Sequence, residues 1–290
     1  MLSVHPLGLF LAGLAAFLPV VARADTVYVT DLNASSVKEI APDRSVTTFA
    51  KFDGVDGGMT LGADGNLYVN GLLGVFKIAP DATVSHFAIS NSAAGGDLAF
   101  DSTGTLYASE NESQIFSIPP EGVAKLFTQF QESGLACDSS SNNLYASSPS
   151  GEIVRFTPDG NSTVFASGLS SPGALAFDSQ GNLFVAEATA GSIDEITPNG
   201  VVSTFATGFF HPSSLAFGSD GNLFVSNFDW GYAQSIDEIT PQGVVTPYAW
   251  GFTAAGSLVV QVPEPSTIVM LGGLICGVFL RPCRTPHRNF

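Results

Sequence analysis

The chain repeats itself, and that limits its folds more than any other feature. Residues 175–206 read LAFDSQGNLFVAEATAGSIDEITPNGVVSTFA, and residues 215–249 read LAFGSDGNLFVSNFDWGYAQSIDEITPQGVVTPYA. Looser copies start at Met59, Leu98 and Leu135. The apolar residue that opens the second segment of each copy falls at positions 27, 67, 106, 144, 183 and 223, a spacing of about 39 residues. A period of that size belongs to propeller blades and other stacked units that cannot bury their apolar face alone.

Each copy carries four short apolar runs. In one of them, Leu175-Ala176-Phe177 is followed by the turn Asp178-Ser179-Gln180-Gly181-Asn182, then Leu183-Phe184-Val185, a longer loop, and a run ending at Ile196. Pro198-Asn199-Gly200 makes the next turn, and Val201 to Phe205 completes the unit. Proline presets φ for the turn, and glycine supplies the left-handed conformation that closes it. Prolines recur at 42, 80, 120, 158 and 241. Helical periodicity is absent, so four strands per copy predict a blade.

The ends of the repeat count the blades. The N-terminal copy begins midway, at Thr26-Val27-Tyr28-Val29, and the strand it lacks stands at the other end as Ser257-Leu258-Val259-Val260. One blade is therefore assembled from both ends of the chain, which closes the ring and removes its open sheet edges. The expectation is an all-β, six-bladed propeller of four-stranded antiparallel blades over residues 25–261. The sequence around Pro172 and Pro212, P-x-x-L-A-F-x-x-x-G-N-L-F-V, resembles NHL-type and streptogramin-lyase-like six-bladed propellers.

The flanking segments read as addresses. Residues 1–24 hold an apolar stretch from Leu7 to Val21 and then Ala22-Arg23-Ala24, the form of a secretory signal with its small-residue cleavage site; a buried core helix is the competing reading. Residues 262–290 carry Val262-Pro263-Glu264-Pro265-Ser266, the apolar run Ile268 to Leu280, and Arg281, Arg284 and Arg288. Prolines keep the backbone out of helix or strand, and arginines stay on the cytoplasmic side. This tail resembles the PEP-CTERM sorting signal of Gram-negative bacteria. The resemblance implies an exosortase-type processing enzyme as partner, transient anchoring in the inner membrane through 266–280, and delivery to the cell surface or exopolysaccharide matrix. As a helix, Ile268 to Leu280 reaches roughly 20 Å against a hydrocarbon core of about 30 Å, which favours a temporary span over the competing permanent anchor.

Charge narrows the partners. The chain has 10 Lys and Arg against 26 Asp and Glu, a formal net charge of −16, and four of its arginines lie in the two end segments. So acidic a repeat region repels phosphate backbones, and nucleic acid is excluded as a partner. Of three cysteines, Cys276 and Cys283 lie in the tail, leaving Cys137 without an internal disulfide partner or a zinc-ligand pattern.

Candidate chemistry collects at one end of the blades. Four positions after each second-strand mark stand Asp31, Gly71, Glu110, Ser148, Glu187 and Asn227, and the loops preceding first strands add Asp53, Asp56, Asp97 and His211. Asp31, Glu110, Glu187 and Asn227 are a candidate oxygen-ligand set for Ca²⁺ or Mg²⁺. The competing reading is local, each side chain tying a loop to the backbone. Gluconolactonase-type propellers, a distant architectural likeness, use a calcium site in the channel, and streptogramin-lyase-like enzymes use a His base and a Glu for metal. The resemblance leaves His211 as the one candidate base here. The sixth copy carries an insertion containing Phe228, Asp229, Trp230 and Tyr232, suited to stacking on sugar rings or, alternatively, to plugging the channel. No G-x-S-x-G elbow or phosphate-cradling loop is present.

Two functions are therefore expected. The first is an exported surface or matrix protein that binds polysaccharide and requires no cofactor. The alternative is a metal-dependent lyase or lactonase acting at the channel mouth. Pro263, Glu264, Pro265, Arg281 and Arg284 form the sorting signal in either case.

Overall fold

The computed structural model describes residues 25–89, 96–110, 113–227 and 234–263. Its strands run β1 (Thr26–Asp31), β2 (Ser36–Ile40) and β3 (Val46–Lys51), followed by β4 (Val55–Leu61), β5 (Leu67–Gly71), β6 (Gly74–Ile78) and β7 (Val84–Ile89). Blade 3 comprises β8 (Leu98–Phe100), β9 (Leu106–Glu110), β10 (Gln114–Ile118) and β11 (Lys125–Gln129). Blade 4 comprises β12 (Gly134–Cys137), β13 (Leu144–Ser148), β14 (Glu152–Phe156) and β15 (Ser162–Ser167). Blade 5 comprises β16 (Pro172–Phe177), β17 (Leu183–Glu187), β18 (Ser192–Ile196) and β19 (Val202–Thr207). Blade 6 comprises β20 (Pro212–Phe217), β21 (Leu223–Asn227), β22 (Gln234–Ile239) and β23 (Val245–Phe252), and β24 (Ala255–Gln261) ends the series.

Six four-stranded antiparallel sheets result, and the one holding β1 has the order β24-β1-β2-β3. The register of the closing pair runs from Thr26↔Gln261 to Asp31↔Ala255. Both ends of the propeller chain thus leave from the rim where first strands turn into second strands. We call this the turn rim; the opposite rim, where β1 ends and β24 begins, is the mouth.

The core lies between the blades. Leu183, Val185 and Ile196 of blade 5 pack with Ala136, Tyr145 and Ile153 of blade 4, and Phe184 and Ala186 pack on the other side with Leu215, Leu223 and Val225 of blade 6. This is the period-2 alternation of a strand buried on both faces. Aromatic residues sew the seams. In blades 2, 4 and 5 the second residue of the second strand meets the aromatic of its own fourth strand and that of the next blade's first strand. Tyr145 lies 5.0 Å edge-on from both Phe165 and Phe177, and Phe184 repeats this with Phe205 and Phe217. Such edge-to-face pairs add about 0.5–1.5 kcal/mol each beyond burial.

Turn chemistry follows the sequence pattern. Asp178 Oδ1 accepts from the backbone N–H groups of Gln180 and Asn182 at 2.8 Å, and Gly181 sits at φ +85°. Blade 4 has a turn one residue longer and puts Asn142 at φ +55° instead. Among the described residues no helix is long and apolar enough to cross a membrane. The signal-like segment 1–24, the insertion residues Phe228, Asp229, Trp230 and Tyr232, and residues 264–290 lie outside the described residues.

Candidate functional site at the channel mouth

Second strands end at the mouth, and so does each candidate ligand. Their side chains turn to the loop that enters their own blade. Asp31 Oδ1 accepts from the backbone N–H of Ala254 at 2.9 Å and, with Oδ2, from that of Thr253 at 3.2 and 3.3 Å. Glu187 Oε2 accepts from Ser170 N–H at 2.7 Å and Ser171 N–H at 2.9 Å. Asn227 Oδ1 accepts from Phe210 N–H at 2.9 Å and His211 N–H at 3.3 Å, while its amide donates to Asp237 at 3.3 Å. The three share one geometry, an acceptor at the end of the second strand capturing two consecutive amides. Glu110 is buried at the matching place, and the loop entering its blade, 90–95, lies outside the described residues. Ser148 bonds Ser150 instead, and Gly71 offers no side chain.

These ties spend most of the oxygen that a cation would need. Glu187 Oε1 is the exception, buried with no hydrogen-bond partner. Among the described residues no group of three or more Asp, Glu, His or Cys side chains is placed to hold a metal ion. The donor set at the strand ends thus does not form a ready cage.

The inner wall of the ring is made of β24, β4, β8, β12, β16 and β20, each at the end of its sheet with one backbone edge turned to the channel. At the mouth these strands begin with small residues: Gly57-Gly58, Gly96-Asp97, Ser133-Gly134, Gly173-Ala174, Ser213-Ser214 and Gly256-Ser257. Crowding explains the glycines. A Cβ on Gly96 would lie 2.1 Å from the carbonyl oxygen of Ser109, and one on Gly134 would lie 2.4 Å from that of Gly173.

A family sequence pattern, the SMP-30/gluconolactonase/LRE-like region, matches residues 19–228. The chain belongs to that family. No curated protein matches it. Among solved structures this SMP-30/gluconolactonase/LRE-like chain is similar to the virginiamycin B lyase of Staphylococcus aureus, with TM-score 0.60 and 20% identity over 77% of this chain and 80% of that one. It is also similar to a gluconolactonase of Xanthomonas campestris, with TM-score 0.62 and 16% identity over 71% and 84% of the two chains. A protein of unknown function from Bacteroides caccae has TM-score 0.62 and 14% identity over 83% and 100%. At these identities the likeness is one of fold.

Within the family scaffold, three wall residues occupy one register and cross the blade seams. Ser257 Oγ accepts from Met59 N–H at 2.9 Å, Ser214 Oγ from Leu258 N–H at 3.0 Å, and Asp97 Oδ2 from Leu135 N–H at 2.9 Å. Asp97 Oδ1 also accepts from Leu98 N–H at 2.9 Å. Burial pushes the Asp97 carboxyl above the usual range, against the pull of those two amides. Sequence reading named Asp97 as one acid among several but missed the seam, because no periodicity reports which side chain crosses to the next blade.

His211 stands at the mouth, its backbone held by Asn227 and its ring 5.7 Å from that of Phe210, which is 55% exposed. Sequence reading passed over Phe210. An aromatic directly before the loop His was the available signal.

Proposed function

We propose that the chain is an exported, surface-associated propeller that presents its channel mouth to a ligand and binds it without transforming it. The observation that carries this reading is the chemistry of the mouth. Asp31, Glu187 and Asn227 each hold two loop amides, and apart from Asp97 the wall strands begin with glycine, alanine and serine where reacting side chains would have to stand. Exposed Phe210 beside His211 gives a flat apolar surface next to a hydrogen-bonding group, which suits a sugar ring of a polysaccharide.

Export and sorting belong to the same proposal. Residues 1–24 act as a cleaved secretory signal. Pro263-Glu264-Pro265 is processed by an exosortase-type enzyme while 266–280 anchors the chain briefly in the inner membrane, with Arg281 and Arg284 on the cytoplasmic side. The support is the apolar run, its short length and the arginines after it.

A lactonase- or lyase-type reaction at the same mouth is the second reading. Membership of the family and the lactonase and lyase among the similar structures weigh for it, as does the clamped position of His211 beside Asn227. One experiment separates the two. The chain is titrated with host exopolysaccharide and, in parallel, assayed for ring opening of lactones and macrolactones with Ca²⁺, with Mg²⁺ and with chelator. Binding lost in Phe210→Ala, with no ring opening above background, supports the first reading. Ring opening that disappears in His211→Ala overturns it in favour of the second.

A further inference from the structure

The channel between the six inner strands encloses a cavity of about 290 Å³, near the lower end of ligand-pocket sizes. Met59, Leu98, Leu135, Leu175, Leu215 and Leu258, one from each inner strand, line it. Thr60, Cys137, Ser214 and Ser257 are the other polar side chains in the wall, and Asp97 is its one charged residue. Among the described residues the ion pairs are Arg44–Glu238 and Lys77–Asp64, and none of these four residues lines the cavity.

The seam does not account for that charge. Ser257 and Ser214 stand at the same register in their own blades and accept the same kind of amide from the neighbouring strand, at 2.9 and 3.0 Å against 2.9 Å for Asp97. A hydroxyl therefore suffices to join two blades. A carboxylate at this place adds one further acceptor, used by Leu98 N–H at 2.9 Å, and a negative charge in a wall of aliphatic side chains, which burial opposes. Across the seam Gly58 faces Asp97, and a Cβ there would lie 2.5 Å from Asp97 Oδ1 and 2.7 Å from its Cα, so the two strands approach closely at this place.

We propose that the channel binds a small organic monocation, an alkylammonium group, with Asp97 as its counter-charge. The channel-side backbone edges of the six inner strands supply carbonyl oxygens for the remaining ammonium N–H groups, and the aliphatic wall takes the alkyl part. A hard divalent ion asks for six or more oxygens and usually several carboxylates, and this wall has one. The net charge of −16 draws cations toward the ring in general, and Asp97 selects the one that enters. The site deepens the mouth-face reading and rests on it for the route by which the ligand enters.

The test is calorimetric titration of the full chain with n-butylammonium, with 1-butanol as the neutral isostere. Saturable amine binding at least tenfold tighter than that of the alcohol is expected. Asp97→Ser, which copies the seam of Ser257 and Ser214, should unfold no earlier than the parent while weakening the amine at least tenfold. Equal binding of alcohol and amine, or an unchanged amine affinity in a folded Asp97→Ser chain, overturns the proposal. If that variant does not fold, Ala174→Leu narrows the cavity from β16, two blades away, and leaves Asp97 in place. Lost amine binding then supports the site, and retained binding overturns it. Phe210→Ala should leave the amine affinity within twofold while abolishing polysaccharide binding, so the channel site and the mouth-face reading fail separately.

Discussion

Asp31 Oδ1 accepts a hydrogen bond from the backbone N–H of Ala254 at 2.9 Å, between residues 223 positions apart in the chain. The bond sits where β24 enters blade 1, beside Leu32 N–H donating to the Ala254 carbonyl at 3.0 Å. It locks the last strand of the chain against the first. The carboxylate is 1% exposed and also holds Thr253, so removing it leaves buried amides without acceptors.

Asp31→Ala should therefore cost about 1–3 kcal/mol, the range for stranded buried donors. Chemical denaturation of the variant and the parent measures it. A loss below about 0.5 kcal/mol would mean that the ladder Thr26↔Gln261 to Asp31↔Ala255 closes the ring unaided.

Gly96 should tolerate no side chain. The added carbon of Gly96→Ala would meet the Ser109 carbonyl at 2.1 Å, where backbone rather than a flexible tip must yield. A loss of about 1–3 kcal/mol is expected from such overpacking. An unfolding midpoint equal to that of the parent would show that β8 and β9 can move apart without penalty.

Ala82 offers a gain. Its turn between the third and fourth strands of blade 2 holds φ +65°, the place where blades 3 to 6 use Gly122, Gly160, Gly200 and Gly243. Left-handed backbone costs a residue with a Cβ about 1–2 kcal/mol, partly offset by the larger unfolded-state entropy of glycine. Ala82→Gly should stabilise the chain by about 0.5–1 kcal/mol in thermal unfolding. A destabilised variant would show that the entropy term wins.

Two aspartates should respond to pH with opposite signs. Asp97 is held above the unfolded value of about 3.9 by burial, so the folded state keeps its proton longer. Its contribution is favourable below pH of about 4 and is lost as pH rises through the raised value. Asp64 runs the other way. Burial disfavours its charge, but hydrogen bonds from Lys77, Asn66 and Tyr68 outweigh this and lower the carboxyl to about 2. Its stabilisation is present above about 4 and fades as pH falls toward about 2, and exposure of the pair to water keeps it small. The stability of Asp97→Asn relative to the parent should therefore rise between pH 4 and pH 7.5. A flat difference would refute the burial penalty.

Much of the architecture was legible because it repeats. Leu183 and its equivalents marked the second strands, and the half-copies at Thr26 and Ser257 counted the blades. The turn at Asp178 was legible because its chemistry is local, confined to partners two and four residues away. The seams were not. Ser257 meets Met59 across 198 positions and Asp97 meets Leu135 across 38, and a period tells which blades are neighbours, not which side chain reaches over. The strand-end acceptors were legible in place but ambiguous in chemistry, since Asp31 or Glu187 can hold an amide or a cation with the same oxygen.

The closing register also sets how the ring is displayed. Asp25 and Val262 leave it on one side, where Asp64, Asp101, Asp138, Asp178 and Asp220 each accept from the amide two residues on. The entrance with Phe210 and His211 is on the other side. The two ends of the propeller chain therefore crowd only the aspartate side, and the entrance stays clear of both.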